Sequence, residues 1–257
     1  MKKVKTEYLF DGSVVRIILD DGKGNVLDHV MMADLQALLE SFQTDTKIKL
    51  ITFEGEGKHF SFGASVEEHT KDCAGAMISN FHKLFFTIRD LAIPTMAKIS
   101  GQCLGGGLEL ALICNFLFAD KSAKLGQPEI VLGVFPPPAS LLLPLKIGYA
   151  RAEDILITGR TFGAEEGKAM GLINDVFEDK GQLNSETNAW IEKNIVPKSA
   201  SSLRYGVKAA RIKFNHILGN FLPQLEHMYV KQLMETHDAN EGINSFLEKR
   251  KPVWNNN

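Results

Sequence analysis

The sequence predicts an α/β fold that gives way to helices alone, and three observations carry the prediction. Short β-branched runs alternate with amphipathic stretches through the first two thirds of the chain. Strand signals stop at about Lys180. Beyond it apolar residues recur only at helical spacing, as in Leu203, Val207, Ala210, Phe214 and Ile217.

In order, Ser13 to Asp20 reads as a strand halted by Asp-Asp-Gly-Lys-Gly. Met31, Leu35, Leu38, Leu39 and Phe42 then fall on one face of a helix, and Ile48 to Phe53 is the next strand. Gly55 to Ser65 is a Gly/Ser-rich loop opening the helix-like Val66-Glu-Glu-His-Thr-Lys, and such a junction leaves backbone N–H groups free for a ligand oxygen. A helix over about Met77 to Leu91 stops before Pro94, and Thr95 to Ile99 is a strand. After a Gly-rich turn and an apolar helix come the strand Phe116 to Ala119, a short helix from Thr161 stopped by Gly171, and the strand Leu172 to Phe177. Two further stripes, from Leu222 to Leu233 and from Ile243 to Arg250, complete the helical last third.

With 257 residues the chain can bury a large core. Its 29 basic and 31 acidic residues, net charge −2, give no global attraction to nucleic acid or an anionic membrane. Three cysteines without a Cys-x-x-Cys pair suggest neither a disulfide framework nor zinc. The N-terminus has lysines but no apolar run behind them, so a cytoplasmic protein is expected.

Between Ile99 and Ala119 the only charged residue is Glu109, and between Leu125 and Leu145 it is Glu129. A carboxylate in apolar surroundings is costly unless bonded, paired or protonated. Two such acids meeting at one water could deprotonate it and supply a proton elsewhere, which is hydration or its reverse. Gly105-Gly-Gly107 would either allow close packing or present N–H groups at a helix start to a developing oxyanion. No Gly-x-Gly-x-x-Gly fingerprint or P-loop spacing occurs there, and His59, His69 and His82 lack metal-ligand spacing.

Phe62-Gly-Ala-Ser, Gly105-Gly-Gly-Leu-Glu-Leu-Ala and Gly126-Gln-Pro-Glu-Ile-Val-Leu-Gly, followed near the end by Phe246-Leu-Glu-Lys-Arg-Lys-Pro, resemble the crotonase (enoyl-CoA hydratase/isomerase) family over essentially the whole chain. The resemblance implies a spiral of ββα units over residues 1–195, a helical region over 196–257 used in trimer contacts, and an acyl-CoA thioester substrate. It implies an oxyanion hole from the N–H groups of Ala64 and Gly106, with Glu109 and Glu129 as the hydratase acids. Val26, Ala64, Ser65, Val66 and Glu67 would follow the CoA chain, while Phe246 and Lys249 would meet its nucleotide end. No metal or separate cofactor is implied, and the assembly would be a homotrimer or a dimer of trimers.

Two positions depart from the family pattern. Ser65 stands where an Asp is common, and Phe135-Pro-Pro-Pro-Ala-Ser140 replaces a Gly-rich segment after the second acid. Phe135, Pro137 and Pro138 are therefore expected to wall the acyl pocket, which suits a flat, cyclic dienoyl group better than a simple crotonyl one. The alternatives are a general enoyl-CoA hydratase, an isomerase using one acid, and a non-catalytic RNA-binding relative, whose dense basic helix is not evident but for which Lys208, Arg211 and Lys213 would be the residues to test.

Overall fold

A hairpin opens the chain, with β1 (Val4–Leu9) antiparallel to β2 (Val14–Leu19). In the computed structural model, which describes residues 1–257, α1 (His29–Ser41) returns the chain so that β3 (Leu50–Gly55) lies parallel to β2. All six residues of β3 are buried, as a central parallel strand covered on both faces requires. Next come α2 (Lys71–Leu91), β4 (Thr95–Ile99), β5 (Gln102–Leu104), α3 (Gly106–Leu112), β6 (Phe116–Asp120) and β7 (Lys124–Gly126). The core closes with α4 (Pro137–Ile147), α5 (Tyr149–Thr158), β8 (Thr161–Gly163), α6 (Ala164–Ala169) and β9 (Asp175–Phe177). Helices α7 (Lys180–Asn194), α8 (Ala200–Ala210), α9 (Ile212–Lys231) and α10 (His237–Leu247) follow.

The strands form two sheets. The larger has the order β1-β2-β3-β4-β6-β9 and is parallel except at β1; the smaller is β5-β7-β8. Leu218, Leu222 and Ile243 from α9 and α10 join the same buried cluster as Ile17, Phe53 and Ile99. The C-terminal helices thus seal the core that the strands begin. No helix is long and apolar enough to cross a membrane.

Several boundaries differ from the sequence pattern, each for a physical reason. β1 gives no strand signal of its own, because only Val4 of its residues is buried and it carries the charged Lys5 and Glu7. Helix α2 starts at Lys71 rather than Met77, its first turn being largely exposed and so without an apolar stripe. Val66–His69 is a single 3₁₀ turn. The stripe through Leu203 and Ile217 is split at Arg211, whose guanidinium donates to Ile113 O at 2.5 Å, whereas α9 continues through Pro223. Thr161–Gly163 is a strand, and β9 is confined to Asp175–Phe177.

A buried ion cluster ties the first three parallel strands. Glu54, 2% exposed, bonds Arg16 and lies 3.2 Å from Lys98, itself 4% exposed. Burial alone would push Glu54 up, but the charges of Lys98 and Arg16 hold it below the usual carboxylate range. Glu54→Ala strands Lys98 without a partner and should cost about 3–5 kcal/mol of stability. Urea denaturation near neutral pH measures this, and a loss below about 1 kcal/mol would mean that Lys98 finds another partner or solvent.

Candidate active site

The functional groups converge where α3 begins. Gly105, with φ +50°, turns the chain from β5 into the helix, and a side chain there would put Cβ 2.7 Å from Glu129 Oε1. Gly106 and Gly107 approach other backbone: added Cβ atoms would lie 3.1 Å from Ala64 N and 2.9 Å from Ser61 O. Each glycine thus has its own reason to lack a side chain, and close packing and site formation are the same fact.

The opposing loop is fixed by Asn25, 2% exposed, whose Nδ2 donates to His59 O at 2.8 Å and to Glu56 O at 3.1 Å. Ser61 Oγ donates back to Asn25 O at 2.7 Å. Leu27 N donates to Gly63 O at 2.9 Å, placing Ala64 beside Leu27 and opposite Gly106. Neither the Ala64 N–H nor the Gly106 N–H has a protein acceptor. At the other end of α3, Arg211 donates to Ile113 O and Lys146 to Cys114 O at 3.1 Å. The two cations meet carbonyls at the negative end of α3, while the Gly106 N–H at its positive end and the Ala64 N–H of the facing loop are both left free for an acceptor. Burial and the neighbouring Arg211 charge lower Lys146 to about 8.

Glu109 and Glu129 line one cavity of about 90 Å³ together with Ala64, Gly106, Phe135 and Pro137. Glu109 Oε1 accepts from Ala139 N–H at 2.9 Å. That donor follows from the local sequence: Pro137 and Pro138 start α4 without N–H groups, so Ala139 is the first residue of the helix able to donate. Burial raises Glu109 to about 8. Glu129 is raised well above the normal carboxylate range by burial and then by the charge of Glu109. The pair is therefore coupled and keeps at least one proton near neutral pH.

The cavity receives only some of the residues expected from sequence. Val66 lines it, but Pro138 does not; Pro136 takes a place in the wall instead. Val26, Ser65 and Glu67 lie outside it, on the adjoining loop and turn, where Val26 N donates to Asp21 Oδ2 at 2.8 Å. Phe246 and Lys249 are exposed at the end of α10, outside the cavity, although α10 packs against the Val66–His69 turn of its own chain.

Three contributors carry no signal in the sequence that points to the site. Buried Gln127, its amide oriented to donate, reaches both Glu129 oxygens at 2.9 and 3.0 Å. His82 and Tyr229 also line the cavity. In sequence Tyr229 is only part of a core stripe, and His82 is one of several histidines without a distinguishing spacing.

Comparison with known proteins agrees with this geometry. The family model described as Enoyl-CoA hydratase/isomerase matches residues 10–257. A cyclohexa-1,5-dienecarbonyl-CoA hydratase of Thauera aromatica is 44% identical, over 96% of this chain and 94% of its own length. A probable enoyl-CoA hydratase of Rhizobium meliloti (strain 1021) is 32% identical, covering 88% of both chains. In fold, an enoyl-CoA hydratase structure from Mycobacterium avium subsp. paratuberculosis K-10 superposes with a TM-score of 0.86 over 99% of each chain at 22% identity. With a match over nearly its whole length and a hydratase relative at 44% identity, the chain belongs to the enoyl-CoA hydratase/isomerase family and is a hydro-lyase.

Proposed function

We propose that the protein adds water to a cyclic conjugated dienoyl-CoA thioester, cyclohexa-1,5-diene-1-carbonyl-CoA, in the degradation of aromatic compounds. The observation that carries this reading is one small cavity that receives two coupled carboxylates and two unbonded N–H groups. At about 90 Å³ it is well below the roughly 300–1,000 Å³ of ordinary ligand pockets, which favours a compact acyl group. The Thauera relative is named for that substrate.

In this mechanism the thioester oxygen accepts from Ala64 and Gly106, which draws electrons from the conjugated carbons. The carboxylate pair removes a proton from water as its oxygen bonds to carbon, and the enolate charge collects on the thioester oxygen. A proton from the pair then returns to the carbon skeleton, so that one water is consumed and no net proton is released. Gln127 holds Glu129 in place and Ala139 holds Glu109. CoA is part of the substrate, and no cofactor or metal enters.

Val26, Ser65 and Glu67 border the route along which the CoA chain would leave, with Phe246 and Lys249 nearer its nucleotide end. We place the reaction in the cytoplasm and the chain in a homotrimer or dimer of trimers. Exposed Tyr149, Ile157 and Ile212, each about 70% accessible, support subunit contacts.

Incubating the protein with the dienoyl thioester in ¹⁸O-labelled water should place the label in the product, as mass spectrometry would show. An isomerase would convert the substrate without label, and that result would replace the proposal.

A further inference from the structure

Glu129 sits on Pro128–Leu132, a single 3₁₀ turn with few bonds of its own to hold it in place. The turn is closed behind the acid, where Gly133, at φ +71°, donates from N to Ile130 O at 3.1 Å and Val134 N donates to Glu129 O at 3.2 Å. Leu132 and Val134, on either side of Gly133, line the acyl cavity together with Glu129. A displacement of Gly133 is therefore passed to the backbone that carries the acid.

What bears on Gly133 from outside comes from more than a hundred residues further along the chain. An added Cβ on Gly133 would lie 2.8 Å from Asp238 O and 3.3 Å from Trp254 Cζ3. On Gly242 of α10 it would collide with Leu132 O and lie 3.0 Å from Trp254 Cη2. One edge of the indole thus rests against Gly133 of the acid's turn and Gly242 of α10 together. Its own position is fixed on both sides: Val253 N donates to Glu241 Oε1 at 2.8 Å, and Asn255 N and Asn256 N donate to the two oxygens of Asp238, each at 2.7 Å. Arg250 Nη2 donates to the other Glu241 oxygen at 2.8 Å.

Trp254 is 41% exposed, so burying its ring is a partial gain, yet three bonds to carboxylates, stronger than those between neutral groups, hold the backbone around it. Those bonds place a rigid, flat side chain over two glycines, where no side chain of the turn intervenes. We infer that Trp254 is a positioning residue for Glu129: with Asp238 and Glu241 as its anchors, the indole braces Gly133 and so keeps the turn from carrying the carboxyl group away from Glu109 and the reacting water. It touches neither substrate nor acid and acts through the backbone between them. The inference rests on the two-acid reading above and adds the element that holds the second acid from outside the cavity.

The test is a double-mutant cycle on kcat, read by single-turnover hydration with enzyme in excess. Trp254→Ala should lower the rate about ten- to hundredfold, the scale set by misplacing a catalytic group by about 1 Å. In a Glu129→Gln background the same change should cost less than about twofold, because the acid that the indole positions is already gone. Trp254→Phe, which keeps a flat ring on the two glycines, should recover most of the rate. Asp238→Ala keeps the indole and removes two of its anchors, and it should show the same dependence on background. A wild-type rate in Trp254→Ala, or an equal loss with and without Glu129, would overturn the inference, the second by showing an effect on overall stability or CoA binding. Failure of the two-acid reading would appear separately, as near-normal turnover of Glu129→Gln alone.

Discussion

Glu109→Gln and Glu129→Gln will each lower kcat for hydration about 10²- to 10⁴-fold, the range that positioned acids and bases supply. Affinity for an unreactive acyl-CoA analogue should stay near the wild-type value, because most of the residues proposed to follow the CoA portion, Val26, Ser65, Glu67, Phe246 and Lys249, lie outside the cavity that holds the acids. Stability should respond in the opposite direction from activity. Burial raises Glu109 from an ordinary 4.5 to about 8, so between those values the unfolded chain has released a proton that the folded one still holds. That contribution to stability is fully present below about 4.5 and is lost as pH rises through about 8. Glutamine has no proton to lose. Glu109→Gln should therefore be no less stable than wild type near pH 8 and should show a flatter dependence of stability on pH. Wild-type kcat should fall over the same alkaline range, because a fully ionised pair has no acid left to protonate carbon; the limb belongs to the pair rather than to either residue. Stopped assays across pH, with thermal melts on the same samples, measure both halves. Near-normal turnover in either variant would exclude the two-acid mechanism.

These acids are legible in the sequence because a lone charge in an apolar segment has few inexpensive explanations. β4 is equally plain, since Pro94 interrupts the helical pattern and the five residues after it form a continuous buried run. What the sequence hides is mainly geometry between segments. The three-residue strands β5 and β8 are too short to show alternation, and they exist because β7 lies between them to complete their hydrogen bonds. Gln127 bears no charge and draws notice only once its amide faces Glu129. Tyr229 fits a helical stripe as well as any core residue, and only its place in the cavity wall marks it. The proline run reads in sequence as a wall, yet it also clears N–H groups from the start of α4 so that Ala139 serves Glu109.

Gly106→Ala should lower kcat about 10²- to 10³-fold, the loss associated with one oxyanion donor. The added methyl would lie 3.1 Å from Ala64 N, 3.3 Å from Ala64 Cβ and 3.4 Å from the Phe81 ring. The nearest atom is backbone, not the end of a flexible side chain, so relief requires the Ala64 loop or the start of α3 to move. Either movement separates the two N–H groups that the proposed mechanism points at the same oxygen. Gly107→Ala provides the comparison, because its methyl would meet Ser61 Cβ at 2.7 Å and Ser61 O at 2.9 Å, inside the packing behind the site. That variant should lose chiefly melting temperature, whereas Gly106→Ala should lose chiefly kcat. Measured side by side, the two distinguish glycine that admits a neighbouring chain from glycine that admits the charge of a transition state. Wild-type kcat in Gly106→Ala would place the oxyanion at other donors.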